Sequence, residues 1–183
     1  SIMVALPSAA GNFGIDFHRL GWKNWNESNL SAAFARTFGN RFSAALAFRL
    51  YTSKIPAENI NLAMAGVDLG AQYALTEKTS LGLHLSDPLT ANISGSESEN
   101  VLPASIRLGG HTQFGTAFLL SYEAIKTDGL ATAARIGTEW SASPEFKIRA
   151  GISTTPYRFA AGIGYNFDFL ETDLAFAYHQ YLG

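Results

Sequence analysis

Cysteine is absent from the 183 residues, which removes disulfide scaffolds, Cys-based zinc sites and thiol nucleophiles at once. Charge is scarce: Asp, Glu, Lys and Arg make up 15% of the chain, against roughly 25% in an ordinary soluble domain. The formal net charge of −2 carries no basic surplus, so nucleic acid is not an expected partner. No uninterrupted run of about 18 apolar residues occurs, which excludes a membrane-spanning helix. A start at Ser1, with no signal peptide, is expected of a processed or partial chain.

What is present is apolar and aromatic material in a particular rhythm. Apolar residues reach 47% while the mean hydropathy is only +0.06. The stretch 146–169 shows how both hold. Phe146, Ile148, Ala150 and Ile152 alternate with Lys147, Arg149, Gly151 and Ser153. After Thr154-Thr155-Pro156-Tyr157 the odd positions take over, with Phe159, Ala161, Ile163, Tyr165, Phe167 and Phe169 opposing Arg158, Ala160, Gly162, Gly164, Asn166 and Asp168. Neighbouring side chains of a strand point to opposite faces, so this is a hairpin with two unlike faces. A soluble sheet would clothe its outer face in Lys, Glu and Thr. Here the non-apolar face is rich in Gly and Ala with isolated charges, and large aromatics stand near the strand ends. That is the pattern of a membrane barrel.

The rhythm recurs along the chain and predicts about twelve strands joined as antiparallel hairpins, with no amphipathic helix. Ser1–Leu6 is short and ends at Pro7. A phase shift near Met64–Gly66 suggests a bulge. Gly39-Asn40 is a two-residue hairpin turn, and short connections are also predicted near 76–79, 115, 141–145 and 170–172. Longer polar loops are predicted at 23–29, 52–59 and 87–100, each between two short turns. Alternation of short turns with longer loops is the habit of outer-membrane barrels. The predicted fold class is therefore all-β, a transmembrane antiparallel β-barrel of the outer-membrane kind. By the same parity both chain ends lie on the long-loop side. Residues 1–183 are then a single barrel domain lacking an N-terminal segment and a closing C-terminal strand, part of a barrel of about fourteen strands, since an unpaired edge in lipid is untenable.

The run 149–183 (RAGISTTPYRFAAGIGYNFDFLETDLAFAYHQYLG), with 66–75 (GVDLGAQYAL), 80–89 (SLGLHLSDPL) and 102–110 (LPASIRLGG), resembles the FadL-type outer-membrane barrels, and within them the PorV and PorQ class associated with type IX secretion. The resemblance implies a fourteen-stranded barrel in the outer membrane of a Gram-negative bacterium, with a transport or secretion-complex role at the cell surface. It rests on strand rhythm and Gly/aromatic phrases. The Asn-Pro-Ala segment usual near the start of FadL-type proteins is missing here.

Ionisable groups at membrane depth must face a lumen or one another, because hydrocarbon costs them ~2–4 kcal/mol. Strand parity gathers Arg49, Asp68, His84, Arg107, His111, Glu123, Arg135, Glu139, Arg149 and Asp168 as the lumen-lining candidates. The bland reading is an Arg/Glu ladder bracing the wall; the functional one is a polar path or a substrate-binding lining. Arg107, Arg135 and Arg149 against Glu123 and Glu139 form the set to examine first. Trp22, Trp25, Tyr51 and Tyr157 are expected at one membrane interface, and Phe38, Phe42, Tyr73, Phe114, Trp140, Phe146 and Phe167 at the other. His84-Leu85-Ser86 has the His-x-Ser form of lipid A deacylases, with His as base and Ser as nucleophile, but no oriented acid is visible in the sequence. His18, His84, His111 and His179 lie on separate strands without ligand spacing, so neither a metal nor a cofactor is expected. The first reading is a non-enzymatic barrel whose partners are the bilayer with its lipopolysaccharide and, through the resemblance, other outer-membrane or secretion-complex proteins. Its rivals are a barrel enzyme acting on lipid and a soluble lipocalin-like binder of an apolar ligand.

Overall fold

The protein is described by a computed structural model covering residues 1–58, 60–93, 102–167 and 169–180. The alternating segments form twelve strands: β1 (Ile2–Ser8), β2 (Gly11–Trp22), β3 (Trp25–Phe38), β4 (Phe42–Ile55), β5 (Ile60–Ala74), β6 (Thr79–Asn92), β7 (Ser105–Phe114), β8 (Phe118–Thr127), β9 (Ala133–Ser141), β10 (Phe146–Thr154), β11 (Tyr157–Phe167) and β12 (Leu170–His179). They lie in one sheet in sequence order. Among the described residues there is no α-helix, only a 3₁₀ turn at Pro56–Glu58. Pro7 does not end β1; it sits within the strand, opposite Asn12. β1 stands at one end of the sheet order, where a residue without an N–H is tolerated.

All three of the longer expected loops are partly strand. Trp25 to Asn29 belongs to β3, and β4 runs on to Ile55, with the register intact as far as Asn26 opposite Lys54. Likewise Asp87 to Asn92 belongs to β6. Polarity misled the sequence reading there, because backbone ladders form whether the side chains above them are oily or wet. The polar tip 94–100 lies outside the described residues. Gly39 closes the β3–β4 turn with φ 62°, a left-handed conformation that suits glycine.

The expected bulge also moves. Met64 and Gly66 are both buried and share the face of Asp68, so β5 keeps a single phase. The break is in β6, where Asp87 has φ 51°. Beyond Ser86, this residue points to the same side as its predecessor.

The chain falls into two compact units, Ser1–Gln72 with His84–Ile106, and Tyr73–Leu83 with Arg107–Gly183. In the first, β2 to β5 have 12 to 15 residues. In the second, β8 to β12 have 9 to 11, the length that crosses a bilayer at a tilt.

The polarity is inverted relative to a soluble domain. Only Met64, Ile125 and Ala133 are buried hydrophobics among the described residues. The large side chains are outside: Ile148 is 37% exposed, Phe159 and Ile163 45%, and Phe176 64%. A soluble lipocalin-like fold would bury that set. Water cannot solvate so continuous an oily face cheaply, whereas hydrocarbon can.

Candidate functional site on the polar face

In the first unit, alternation brings Arg49 of β4, Asp68 of β5 and Ser86 of β6 to the polar face, and the left-handed Asp87 joins them. One guanidinium nitrogen, Arg49 Nη2, donates to Asp68 Oδ1 at 2.9 Å and to Ser86 Oγ at 2.8 Å, and it is ion-paired with Asp87. The Asp87 backbone N–H and the Ser86 hydroxyl also donate to Asp68 Oδ1, each at 3.1 Å. The side chains are 24% (Arg49), 16% (Asp68) and 8% (Asp87) exposed, so one cation is held against two half-dry carboxylates. Gly66 makes the room: a Cβ there would strike the Asp87 carboxylate. Arg49 Nε and Asp87 Oδ1 are buried without a hydrogen-bond partner among the described residues.

In the second unit the charges are spread over successive strands. Arg149 of β10 donates through Nε to Glu139 of β9 at 2.8 Å and reaches over β11 to pair with Asp173 of β12. The crossing is possible because Gly164 lies between; a Cβ on it would sit 2.6 Å from Asp173 Oδ1 and 3.4 Å from Arg149 Nη1. Lys147 Nζ lies 3.9 Å from Glu139, and Arg135 Nη1 lies 3.3 Å from Glu123.

The structure thus brings Arg49, Asp68 and His84 together in one cluster, pairs Glu139 with Arg149, and pairs Glu123 with Arg135 further along β9. Arg107 and His111 on β7 have exposed side chains and join none of these. Asp168 lies outside the described residues. The sequence reading missed Asp87, assigned to a loop, and Asp173. For Asp173 a signal was available: it faces Gly164 across the β11–β12 pair, on the parity of the polar face.

The acid absent from the His84-x-Ser86 motif is supplied in space by Asp68, whose Oδ2 lies 3.8 Å from His84 Nε2. The arrangement is not that of an activated nucleophile. The Ser86 hydroxyl gives its proton to Asp68 and accepts from Arg49, so the histidine does not hold it as a base would.

The aromatics of the short-turn end all stand at strand ends. Phe38 and Phe42 pair across the β3–β4 turn with centroids 5.9 Å apart, and Arg36 sits 5.5 Å over the Phe38 ring. Phe114 meets Phe118 at 6.0 Å, Trp140 stands opposite Phe118 and Ile148, Phe146 opposite Tyr165, and Tyr165 meets Phe167 at 4.5 Å. Tyr73 is exposed near the end of β5. At the other end Tyr157 is exposed at the start of β11 on the oily face, whereas Trp22 and Trp25, opposite each other across the β2–β3 turn, carry the strand parity of Asp16 and Ser31 and so belong to the polar face rather than to an interface ring. Tyr51 needs correction. It shares the parity of Arg49 and Ser53, and Glu27 lies one row away on the same face, so it belongs to the polar face. Its position before the end of β4 had suggested an interface ring, but strand parity outranks closeness to a strand end.

No protein-family model matches the chain, and no curated protein matches it in sequence. Solved structures share its fold. The toluene transporter TodX of Pseudomonas putida aligns with a TM-score of 0.67 at 14% identity, over 96% of this chain and 75% of that one. A FadL homologue of Pseudomonas aeruginosa aligns with a TM-score of 0.63 at 13% identity, over 96% and 68%. The monoaromatic hydrocarbon channel CymD aligns with a TM-score of 0.60 at 12% identity, over 97% and 77%. The fold is that of the outer-membrane β-barrels, and the exposed oily face of both units fits that location.

Proposed function

We propose that the chain is a non-enzymatic transport barrel of the outer membrane of a Gram-negative bacterium, admitting small solutes along its polar face. The observation carrying this reading is the segregation of the two faces: the ion pairs of each unit are braced against one another on one side, while the middle of the other side is hydrocarbon and rings. A wall of paired ions beside glycines is held in place yet keeps donors and acceptors for a passing solute. The neighbours in fold named above are a toluene transporter, a FadL homologue and a monoaromatic hydrocarbon channel, which favours transport over catalysis. The engagement of Ser86 by Asp68 and Arg49 argues the same way.

The test is reconstitution into vesicles loaded with solutes of graded size and polarity. Solute-dependent release that changes when Arg49 or Arg149 is replaced supports transport. Release no faster than from empty vesicles for every solute contradicts it. The finer assignment, to the PorV/PorQ class of secretion partners, is favoured by the sequence phrases around 149–183. Affinity purification from native membranes tests that assignment, and recovery of the barrel without other proteins counts against it.

A further inference from the structure

The oily face of the first unit ends along a sharp line. In strand register, Phe17, Leu30 and Leu50 form one row across β2, β3 and β4, and all three are exposed apolar residues. One step further along the strands, on the same face, the row is Arg19, Ser28 and Thr52; the next is Gly21, Asn26 and Lys54. Lys23 follows in the turn. Three strands therefore change from apolar to cationic and hydroxylated at the same height. That change marks where hydrocarbon gives way to headgroups.

Arg19, Lys23 and Lys54 are exposed and have no ion pair among the described residues. Glu27, the carboxylate nearest in sequence to this end of β3, has the opposite parity and stands on the polar face, across from Ser53. Arg19 and Lys54 stand two strands and one two-residue step apart, roughly 12 Å between Cα atoms. The hydroxyl and amide side chains of Ser28, Asn26 and Thr52 lie between them. In the second unit the corresponding row of β10 to β12 is oily, with Ile152 opposite Phe159 and Phe159 opposite Tyr178. The cation on that unit's outer face, Lys126, donates to the Leu130 carbonyl at 2.6 Å.

We infer that Arg19, Lys23 and Lys54 form a lipid-facing site for the phosphates of a phosphorylated glycolipid in the outer leaflet. The site is on the end that carries the β4–β5 connection and the connection from Asn92 to Ser105, and barrels of this kind turn their longer connections outward. A phosphorylated sugar headgroup at the hydrocarbon boundary offers anionic oxygens to the cations and hydroxyls to the amide and hydroxyl side chains between them. The inference rests on the outer-membrane reading of the fold.

The test reconstitutes the barrel in phosphatidylcholine vesicles doped with lipid A, with dephosphorylated lipid A, or with phosphatidylglycerol. The glycolipid that stays with the barrel on extraction into neutral detergent is then measured. Wild type should retain lipid A, and Arg19→Gln with Lys54→Gln should weaken retention roughly tenfold to thirtyfold. Lys126→Gln should retain it as wild type does. Equal retention by the double variant, or of the dephosphorylated lipid, overturns the site. Equal retention of phosphatidylglycerol, or displacement by inorganic phosphate at matching concentration, overturns the glycolipid as its ligand. A wild-type chain that enters none of the vesicles refutes the membrane reading itself, an outcome distinct from insertion without glycolipid retention.

Discussion

The two units brace their polar faces by different means. In the first, a single guanidinium is drawn between two carboxylates on neighbouring strands, with the acids 16% and 8% exposed. In the second, Arg149, Glu139 and Asp173 form a chain across four strands and are 37%, 27% and 49% exposed. Both depend on a glycine beside a carboxylate, Gly66 in one and Gly164 in the other. The same residue types therefore make one dry knot and one wet ladder. Water decides the energetics: a buried pair is costly to break because it strands a charge, while an exposed pair is weakly held and screened.

Replacing the arginine in each unit should separate them most widely. Arg49→Leu leaves Asp68 and Asp87 facing each other without their cation, and the first unit should lose roughly 3–5 kcal/mol. Arg149→Leu should cost about 1 kcal/mol or less. Urea unfolding in lipid vesicles measures both, and equal losses would erase the distinction. The glycines should give the next largest contrast. Gly66→Ala drives a methyl into the buried Asp87 carboxylate and should cost roughly 1–3 kcal/mol, the usual range for overpacking. Gly164→Ala meets the half-exposed Asp173, which can swing away, so its cost should fall below about 1 kcal/mol.

Salt should sharpen the comparison further. Raising ionic strength from about 0.01 to 1 M shortens the screening length from roughly 30 to 3 Å. The measured cost of Arg149→Leu should then shrink while that of Arg49→Leu persists. The smallest effect lies at the β9–β10 turn. There the Ser143 hydroxyl donates to Glu145 Oε2 at 2.7 Å and receives the Phe146 N–H at 3.2 Å, and this hydrogen bond holds the Glu145 carboxyl below its ordinary value. A carboxylate so depressed contributes stability above its unfolded value and loses it as pH falls through the depressed one. Ser143→Ala should return the Glu145 titration toward the ordinary range, as read by carbon NMR of labelled glutamate.

Much of the fold was legible because a strand writes its two faces directly into the sequence. Phe146 to Phe167 could be divided into an oily and a polar face by counting, and the structure keeps that division. Strand ends were less legible. Asn26 to Asn29 and Thr52 to Lys54 look like loop because they are polar, yet their ladder continues above the oily belt. The site was half legible. Parity gave Arg49, Asp68 and His84 a common face, but Asp87 joins them through a left-handed backbone that alternation cannot anticipate. Of the two partners of Arg149, Glu139 on the next strand was legible by parity, whereas Asp173 shares the face but lies two strands away, a reach that only the absent side chain of Gly164 permits.

The most direct measurement of the inverted polarity uses the absence of cysteine. Single cysteines introduced one at a time from Phe159 to Tyr165 on β11 can each carry a spin label in reconstituted vesicles. Labels at 159, 161, 163 and 165 should be relaxed by oxygen dissolved in the bilayer, and those at 160, 162 and 164 by a water-soluble reagent. A reversed alternation, or none, would contradict an oily exterior facing lipid.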